Sequence, residues 1–162
     1  VFDLKQEFHD KLTETRSLRG QLSQLKGRMA EYQLAKVFRQ RPRLALTALF
    51  QNVRDSTALH LTRVQEQVRF QREDRKEFEL DVVAHSSCGR VVLVEVKNTQ
   101  EKIGIAGVTA FWEKVQVYQQ IQPNSSVLPA FLSLGGFTEE AKVFCEAQGV
   151  AMAERLEEIG AK

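Results

Sequence analysis

Residues 78–98 read FELDVVAHSSCGRVVLVEVKN, and this stretch decides the fold. Two apolar runs, 78–84 and 90–96, flank a short polar segment that ends in Gly89. Polar residues followed by a glycine that can adopt positive φ are typical of a tight turn, so the segment predicts a β-hairpin. The nearly unbroken Val and Leu run in the second half predicts a central strand that is covered on both faces.

Charged side chains interrupt both predicted strands. Residues two apart point to the same side of a strand, so Glu79 and Asp81 share one face. The same rule places Glu95 and Lys97 on one face of the second strand. Antiparallel pairing would bring Asp81 and Glu95 together near one end of the sheet. Carboxylates beside a Val-rich core are costly unless something balances their charge, and Mg²⁺ prefers hard oxygen ligands of this kind.

This arrangement predicts a metal site. Asp81, Glu95 and the backbone carbonyl of Val96 are the expected ligands, with Mg²⁺ as the ion and Mn²⁺ as the alternative. Lys97 is expected to orient the attacking water or to stabilise developing negative charge. Glu31, on a helix ahead of the strands, is a further catalytic candidate. Two ordinary alternatives stay open: Glu95 and Lys97 as a solvated pair on an exposed strand, and Glu31 as an exposed helix residue.

The remaining chain alternates helical and extended patterns. We expect helix up to Pro42, a short helix over 44–53, extended structure over 59–70 and a charged turn over 72–76. Further on we expect a helix over 108–121, a strand over 127–134, a helix from Thr138 to Gly149 and a short strand over 150–153. The aromatic residues of the first of these helices, Phe111, Trp112 and Tyr118, are expected in the core. This order predicts an α/β domain over residues 28–162.

Residues 1–27 predict a coiled-coil helix. Along this helix, residues spaced alternately four and three apart form a heptad seam. Its members are Leu4, Phe8, Lys11, Thr15, Leu18, Leu22, Leu25 and Met29. Gly20 and Gly27 lower helix propensity by about 1 kcal/mol each, so a break in the helix can occur there. A helix of this length predicts pairing with a second copy, hence a homodimer. The alternative is a helix folded back onto its own domain.

Charge is divided unevenly along the chain. Residues 1–76 hold 16 Lys and Arg against 9 Asp and Glu, whereas residues 77–162 hold 7 against 12. The basic excess is either a solvated face or a phosphate-binding surface, and the residues selected for the second role are Arg39, Arg41, Arg43, Arg72 and Arg75. No apolar run approaches the roughly 20 residues that span a bilayer, so we expect no membrane partner and a cytoplasmic location. The two cysteines match neither a disulfide framework nor a zinc module.

The acidic and lysine residues carry a family resemblance. Glu31 on a helix, then Glu79-Leu-Asp81, then Glu95-Val-Lys97 resembles the PD-(D/E)XK nuclease superfamily. The likeness is greatest to a bacterial branch with an N-terminal coiled coil. It covers residues 28–156, and Leu80-Asp81 replaces the Pro-Asp dipeptide of the superfamily.

The resemblance implies a restriction-endonuclease-like mixed β-sheet flanked by helices and a Mg²⁺-dependent nuclease acting on DNA. It also makes Lys114 and Gln116, on the helix after the second strand, candidate assisting residues, with Lys114 a candidate for nucleic-acid binding. A nucleic-acid-binding or assembly module with the same fold but no catalysis is the alternative function. A coiled-coil adaptor whose α/β body docks a partner is a third. The sequence leaves the choice between DNA and RNA open.

Overall fold

A computed structural model describes residues 3–156. The last six residues of the predicted α/β domain, 157–162, lie outside the described part. The helices are α1 (Leu4–Gln40), α2 (Ile105–Ile121) and α3 (Glu139–Gln148), with one 3₁₀ turn at Leu46–Ala48. The strands are β1 (Arg43–Leu44), β2 (Leu59–Gln71), β3 (Glu77–Ser86), β4 (Arg90–Lys97), β5 (Ser126–Ser133) and β6 (Ala151–Ala153).

The strands form one mixed sheet in the order β1-β2-β3-β4-β5-β6. The first four strands pair antiparallel, and β4, β5 and β6 pair parallel. Parallel neighbours need a crossover, and α2 and α3 supply the two crossovers. The expected α/β fold, a mixed sheet flanked by helices behind a long N-terminal helix, is confirmed.

Helices cover both faces of the sheet. The last part of α1 packs on one face, where Leu34 and Phe38 belong to the same buried cluster as strand residues such as Val94. The helices α2 and α3 pack on the other face, where Phe111 contacts Phe131 of β5. Because both faces are covered, β4 is apolar on both sides, and residues 91–94 are buried. The predicted central strand is confirmed.

Helix α1 is continuous from Leu4 to Gln40. The side chain of Asp3 caps its N terminus by accepting hydrogen bonds from two backbone N–H groups. The helix runs through Gly20 and Gly27 without a break. The predicted boundary between residues 27 and 28 falls inside it, and the division into two domains stays a prediction. The α/β body already contacts the helix at Lys26, whose carbonyl accepts a hydrogen bond of 3.1 Å from Nδ2 of Asn98, and Ala30 is the first buried residue of the helix.

The helix expected over residues 44–53 is wrong. The segment instead forms β1, one 3₁₀ turn and an irregular stretch. Leu44 pairs with Leu59 at the edge of the sheet, and Leu46 and Phe50 are buried against the face that α1 covers. Sheet pairing and burial therefore override the helical spacing of these apolar residues.

The other expected elements are present with shifted ends. The hairpin turn between β3 and β4 has Gly89 at φ 82, and the turn before β3 falls at the predicted charged segment. Thr138 caps α3 by accepting from the N–H of Ala141, and Gly149 ends α3 at φ 77. Within residues 3–156, no helix is both long enough and apolar enough to cross a membrane.

Candidate metal and catalytic site

The β3–β4 ladder ends where the acidic residues begin. Among the described residues, its last register pair is Val82 with Val94. Beyond that pair β3 continues alongside β2, and β4 continues alongside β5. The two strands therefore form a fork, and Asp81 and Glu95 are the first residues on its two branches. The predicted proximity of these two carboxylates follows from this geometry.

The carboxylate of Asp81 bridges the fork. Its Oδ2 accepts a hydrogen bond of 2.7 Å from the backbone N–H of Val96. Burial, followed by the negative charge of Glu95, raises the pKa of Asp81 from 3.8 to about 7. The hydrogen bond from Val96 lowers the pKa but does not offset these two effects. The charge on Asp81 is therefore incompletely balanced within the protein, and a bound cation would balance it.

Two lysines surround the carboxylate of Glu95. Lys114 Nζ from α2 lies 2.9 Å from Glu95 Oε2 and 3.3 Å from Oε1. Lys97 Nζ lies 3.6 Å from Glu95 Oε1, and its side chain is 48% exposed. Glu95 itself is buried. Lys114 is the closer partner, whereas the more exposed Lys97 has its ammonium at the rim of the site.

Helix α1 brings Glu31 to the same fork. Its Oε2 accepts a hydrogen bond of 3.4 Å from Nε2 of Gln67 on β2. Burial raises the pKa of Glu31, while hydrogen bonds with Gln67 and Asp81 act in the opposite direction. Glu31 is therefore half-buried beside Asp81 and is not the exposed helix residue of the ordinary alternative. Its catalytic role remains a prediction.

Gln67 is a residue of this site that the sequence does not predict. It lies between the register pairs Glu66–Val82 and Val68–Leu80, and so opposite Asp81. Its φ is 52, a left-handed conformation that costs a non-glycine residue about 1–3 kcal/mol. No local pattern around a glutamine in a strand indicates such a conformation, because it arises from how β2 and β3 pair beside the fork.

The donor set fits a hard divalent cation. Within residues 3–156, no three His, Cys, Asp or Glu side chains form a ready-made metal-binding group. Mg²⁺ commonly takes one or two carboxylates and completes its shell with water and substrate oxygens. Asp81, Glu95 and the carbonyl of Val96 supply such a partial set, and the raised pKa of Asp81 indicates where positive charge is needed.

Four of the five predicted phosphate-binding arginines lie at the ends of β2 or α1, whereas Arg39 contacts Glu66 beside the fork. Arg43 pairs with His60 at one end of β2, seven residues from Gln67, which corresponds to about 23 Å along a strand. Arg72 and Arg75 lie just beyond the opposite end of β2. Arg41 is half-buried at the end of α1.

Several basic side chains already have partners within the protein. Arg39 binds Glu66 at 3.1 Å, and Arg72 binds both Asp74 and Glu113. Lys114, expected near nucleic acid, binds Glu95. The second candidate of the same helix, Gln116, lies in a different place: it lines a cavity of about 560 Å³ beside Trp112.

The remaining candidates have structural positions. Phe111 and Tyr118 are buried and Trp112 is partly buried, as expected of core aromatics. Glu79 forms an exposed ion pair with Arg69 at 3.1 Å. The negative charge of Glu79 also contributes to the raised pKa of Glu31.

Comparison with known proteins finds partial structural likeness. No protein-family model and no curated protein matches the chain. A protein of unknown function named AF1548 matches at 22% identity and a TM-score of 0.48, over 56% of this chain and 47% of its own. A repair endonuclease from Pyrococcus abyssi matches at 21% identity and a TM-score of 0.41, over 57% of this chain and 39% of its own. EndoMS in a complex with double-stranded DNA matches at 17% identity and a TM-score of 0.42, over 57% of this chain and 36% of its own. The chain thus spans less than half the length of each of these structures.

Proposed function

We propose that the chain is a divalent-metal-dependent nuclease that hydrolyses phosphodiester bonds in DNA. The observation that carries the proposal is the fork, which presents two buried carboxylates and a half-exposed lysine from adjacent strands. Neutral strand residues would suffice for packing at these positions, and a buried carboxylate with raised pKa is typical of functional sites.

Each residue has a role in this proposal. Asp81, Glu95 and the carbonyl of Val96 would hold Mg²⁺ or Mn²⁺. When bound, such a metal lowers the pKa of water and neutralises charge on the transferring phosphate. Lys97 orients the attacking water or stabilises the developing negative charge. Lys114 fixes the carboxylate of Glu95 in position, because it is the nearest cation to both oxygens.

Glu31 and the basic residues complete the proposal. Glu31 adds a third carboxyl group from α1, held by Gln67. The exposed arginines Arg43 and Arg75 are proposed to contact the DNA backbone on either side of the fork, where guanidinium groups suit phosphate oxygens. Arg39 and Arg72 can join them only by exchanging their present carboxylate partners.

One observation favours a second function, nucleic-acid binding without cleavage. Two lysines lie within 3.6 Å of Glu95, so the protein already neutralises one of the two proposed metal ligands. A module that binds nucleic acid without hydrolysing it would keep this arrangement. The raised pKa of Asp81 supports the nuclease, because burial and the charge of Glu95 outweigh the attraction of Lys97.

The test is cleavage of supercoiled, linear and single-stranded DNA with Mg²⁺ or Mn²⁺. Asp81→Ala and Lys97→Ala are compared with Lys5→Ala, a control at the exposed far end of α1. Metal-dependent cleavage that both site variants lose and the control keeps would support the nuclease. Calorimetry with Mn²⁺ separates the failures: metal binding without cleavage favours the binding module, and absence of both rejects the site.

A further inference from the structure

The heptad seam of α1 is an apolar surface that the α/β body leaves uncovered. Its seven large apolar residues are 51–71% exposed: Leu4, Phe8, Leu18, Leu22, Leu25, Met29 and the next seam residue, Tyr32. An exposed apolar seam of this length, interrupted only at Lys11 and Thr15, marks an interaction surface on a projecting helix. It spans about four heptads, the length over which coiled-coil pairing is expected.

The body occupies the opposite side of the helix. Each residue advances about 100° around a helix, so Leu34 and Phe38 lie about 140° and 180° from Met29. Those two residues are fully buried against the sheet, whereas Met29 is exposed. The seam therefore stays exposed at Met29 and Tyr32, on the side of α1 that faces away from the sheet. Folding of α1 back onto its own domain, the alternative left open by the sequence, is not what the structure shows.

We propose that the seam pairs with the same seam of a second copy as a parallel, in-register, two-stranded coiled coil. In that register each layer meets its own equivalent. All apolar layers pair with apolar layers. Of the two polar layers, Lys11 pairs with the partner's Lys11 and Thr15 pairs with the partner's Thr15. Polar residues at seam positions specify register in this way, at some cost in stability.

An antiparallel pairing is less favourable. In an antiparallel pair, heptad position a of one helix packs against position d of the other. Over the same length this places Lys11 opposite the partner's Leu22 and Thr15 opposite the partner's Leu18. Each polar group would then be buried against leucine without a partner. In the parallel register the two Lys11 ammonium groups lie close together, but each has Glu7 of its own helix at 3.5 Å.

The flanking charges favour the same orientation. A parallel pair brings Glu14 beside the partner's Arg19, an attraction that occurs twice in the dimer. The antiparallel pair gains Glu7 beside the partner's Arg28 but also sets Lys5 beside the partner's Lys26. Attraction and repulsion then offset each other, so the flanking charges contribute net stabilisation only in the parallel dimer.

Parallel pairing fixes where the two proposed active sites lie. Both bodies attach at the same end of the coiled coil, and the two Glu31 residues lie at the same height. An antiparallel dimer would instead separate the bodies by the length of the seam, about 40 Å for 27 residues. This step rests on the proposed nuclease function: two sites on one end can cut both strands of one duplex in a single encounter.

The oligomeric state is tested first, independently of any activity. Sedimentation equilibrium of the full chain should give twice the 18.5 kDa monomer mass. Leu22→Glu/Leu25→Glu should halve that mass, whereas Ser23→Glu/Gln24→Glu, with the same charges beside the seam, should not. Circular dichroism establishes that the body stays folded, since the four side chains are exposed. A wild-type monomer at 100 µM, or a dimeric seam variant, would overturn the proposal.

Disulfide trapping tests the orientation. In a Cys88→Ser background, Phe8→Cys and Leu25→Cys should each cross-link to its own equivalent under mild oxidation. Cross-linking only in a mixture of the two variants would establish the antiparallel pairing and overturn the parallel one. If the chain cleaves DNA, the wild type should convert supercoiled plasmid directly to linear, whereas the monomeric seam variant should accumulate nicked circles. A dimer without cleavage would reject the proposed function and leave the coiled coil standing.

Discussion

Replacing Asp81 by asparagine should stabilise the metal-free protein. Asparagine keeps the size of the side chain, and its amide oxygen can accept the hydrogen bond that the N–H of Val96 now donates. The substitution removes only the charge that burial and Glu95 disfavour. If the charge of Asp81 served to stabilise the folded structure, the same substitution would instead destabilise the protein.

The magnitude follows from the pKa. In the folded protein the pKa of Asp81 is about 7, against 3.8 ordinarily, so the native state binds more protons than the unfolded state between these pH values. Stability of the wild type therefore falls as pH rises from about 4 to 7, by at most about 4 kcal/mol at pH 8. Asparagine imitates the protonated side chain at every pH. The gain for Asp81→Asn should approach this figure at pH 8 and be under half of it at pH 5.

Urea unfolding in EDTA at pH 5 and pH 8 measures the effect. Asp74→Asn is the control, because Asp74 is an exposed carboxylate whose ion pair with Arg72 lowers its pKa to about 2. Its substitution should give no gain, and no difference between the two pH values. Mg²⁺ at pH 8 should stabilise the wild type more than Asp81→Asn, since the variant keeps only one of the two charged ligands, Glu95. Equal stability of Asp81→Asn and wild type at pH 8 would refute the reasoning.

Three further predictions concern single residues around the sheet. Lys114→Met should destabilise the protein by about 1–3 kcal/mol in urea unfolding, because it leaves the buried Glu95 with only the half-exposed Lys97 as a cation. Adding Glu95→Gln should restore much of the loss. Gln67→Gly should raise stability by about 1 kcal/mol, because glycine adopts the left-handed backbone at this position without strain. The same change removes the side chain that holds Glu31, so it should weaken Mn²⁺ binding about tenfold in calorimetry. Stronger binding would contradict the positioning role of Gln67. A hydrogen bond with Ser86 lowers the pKa of Cys88 to about 7, so the rate at which iodoacetamide alkylates this thiol should have its midpoint near pH 7. Cys88 should react far faster than the buried Cys145, and a midpoint near pH 9 would contradict the prediction.

Local patterns were sufficient for the hairpin and for the pairing of its acidic residues. The alternation around Asp81 and the apolar run before Glu95 specify which faces these side chains occupy once the strands pair antiparallel. Register then follows from the short turn at Gly89. The capped helix α3 was equally predictable, because Thr138 supplies its own local signal.

Features that depend on distant pairing were not predictable. The segment over 44–53 has helical spacing, but Leu44 pairs with Leu59 instead. The positive φ of Gln67 depends on the irregular pairing of β2 with β3. Lys114 has the sequence context of an exposed basic residue, and only the packing of α2 on the sheet brings it to Glu95. In each case the decisive partner is at least 13 residues away, beyond the range of any local pattern.

The fork explains why the site can exist in a sheet at all. Where β3 and β4 separate, the N–H of Val96 faces the β3 branch without a strand carbonyl, and the side chain of Asp81 accepts from it instead. A neutral acceptor of the same shape would satisfy that N–H equally well. The backbone therefore accounts for an oxygen at this position but not for a charge. The charge costs stability in the metal-free protein, so it is best explained by what it binds. A divalent cation, held by Asp81 and Glu95 as proposed above, would balance it.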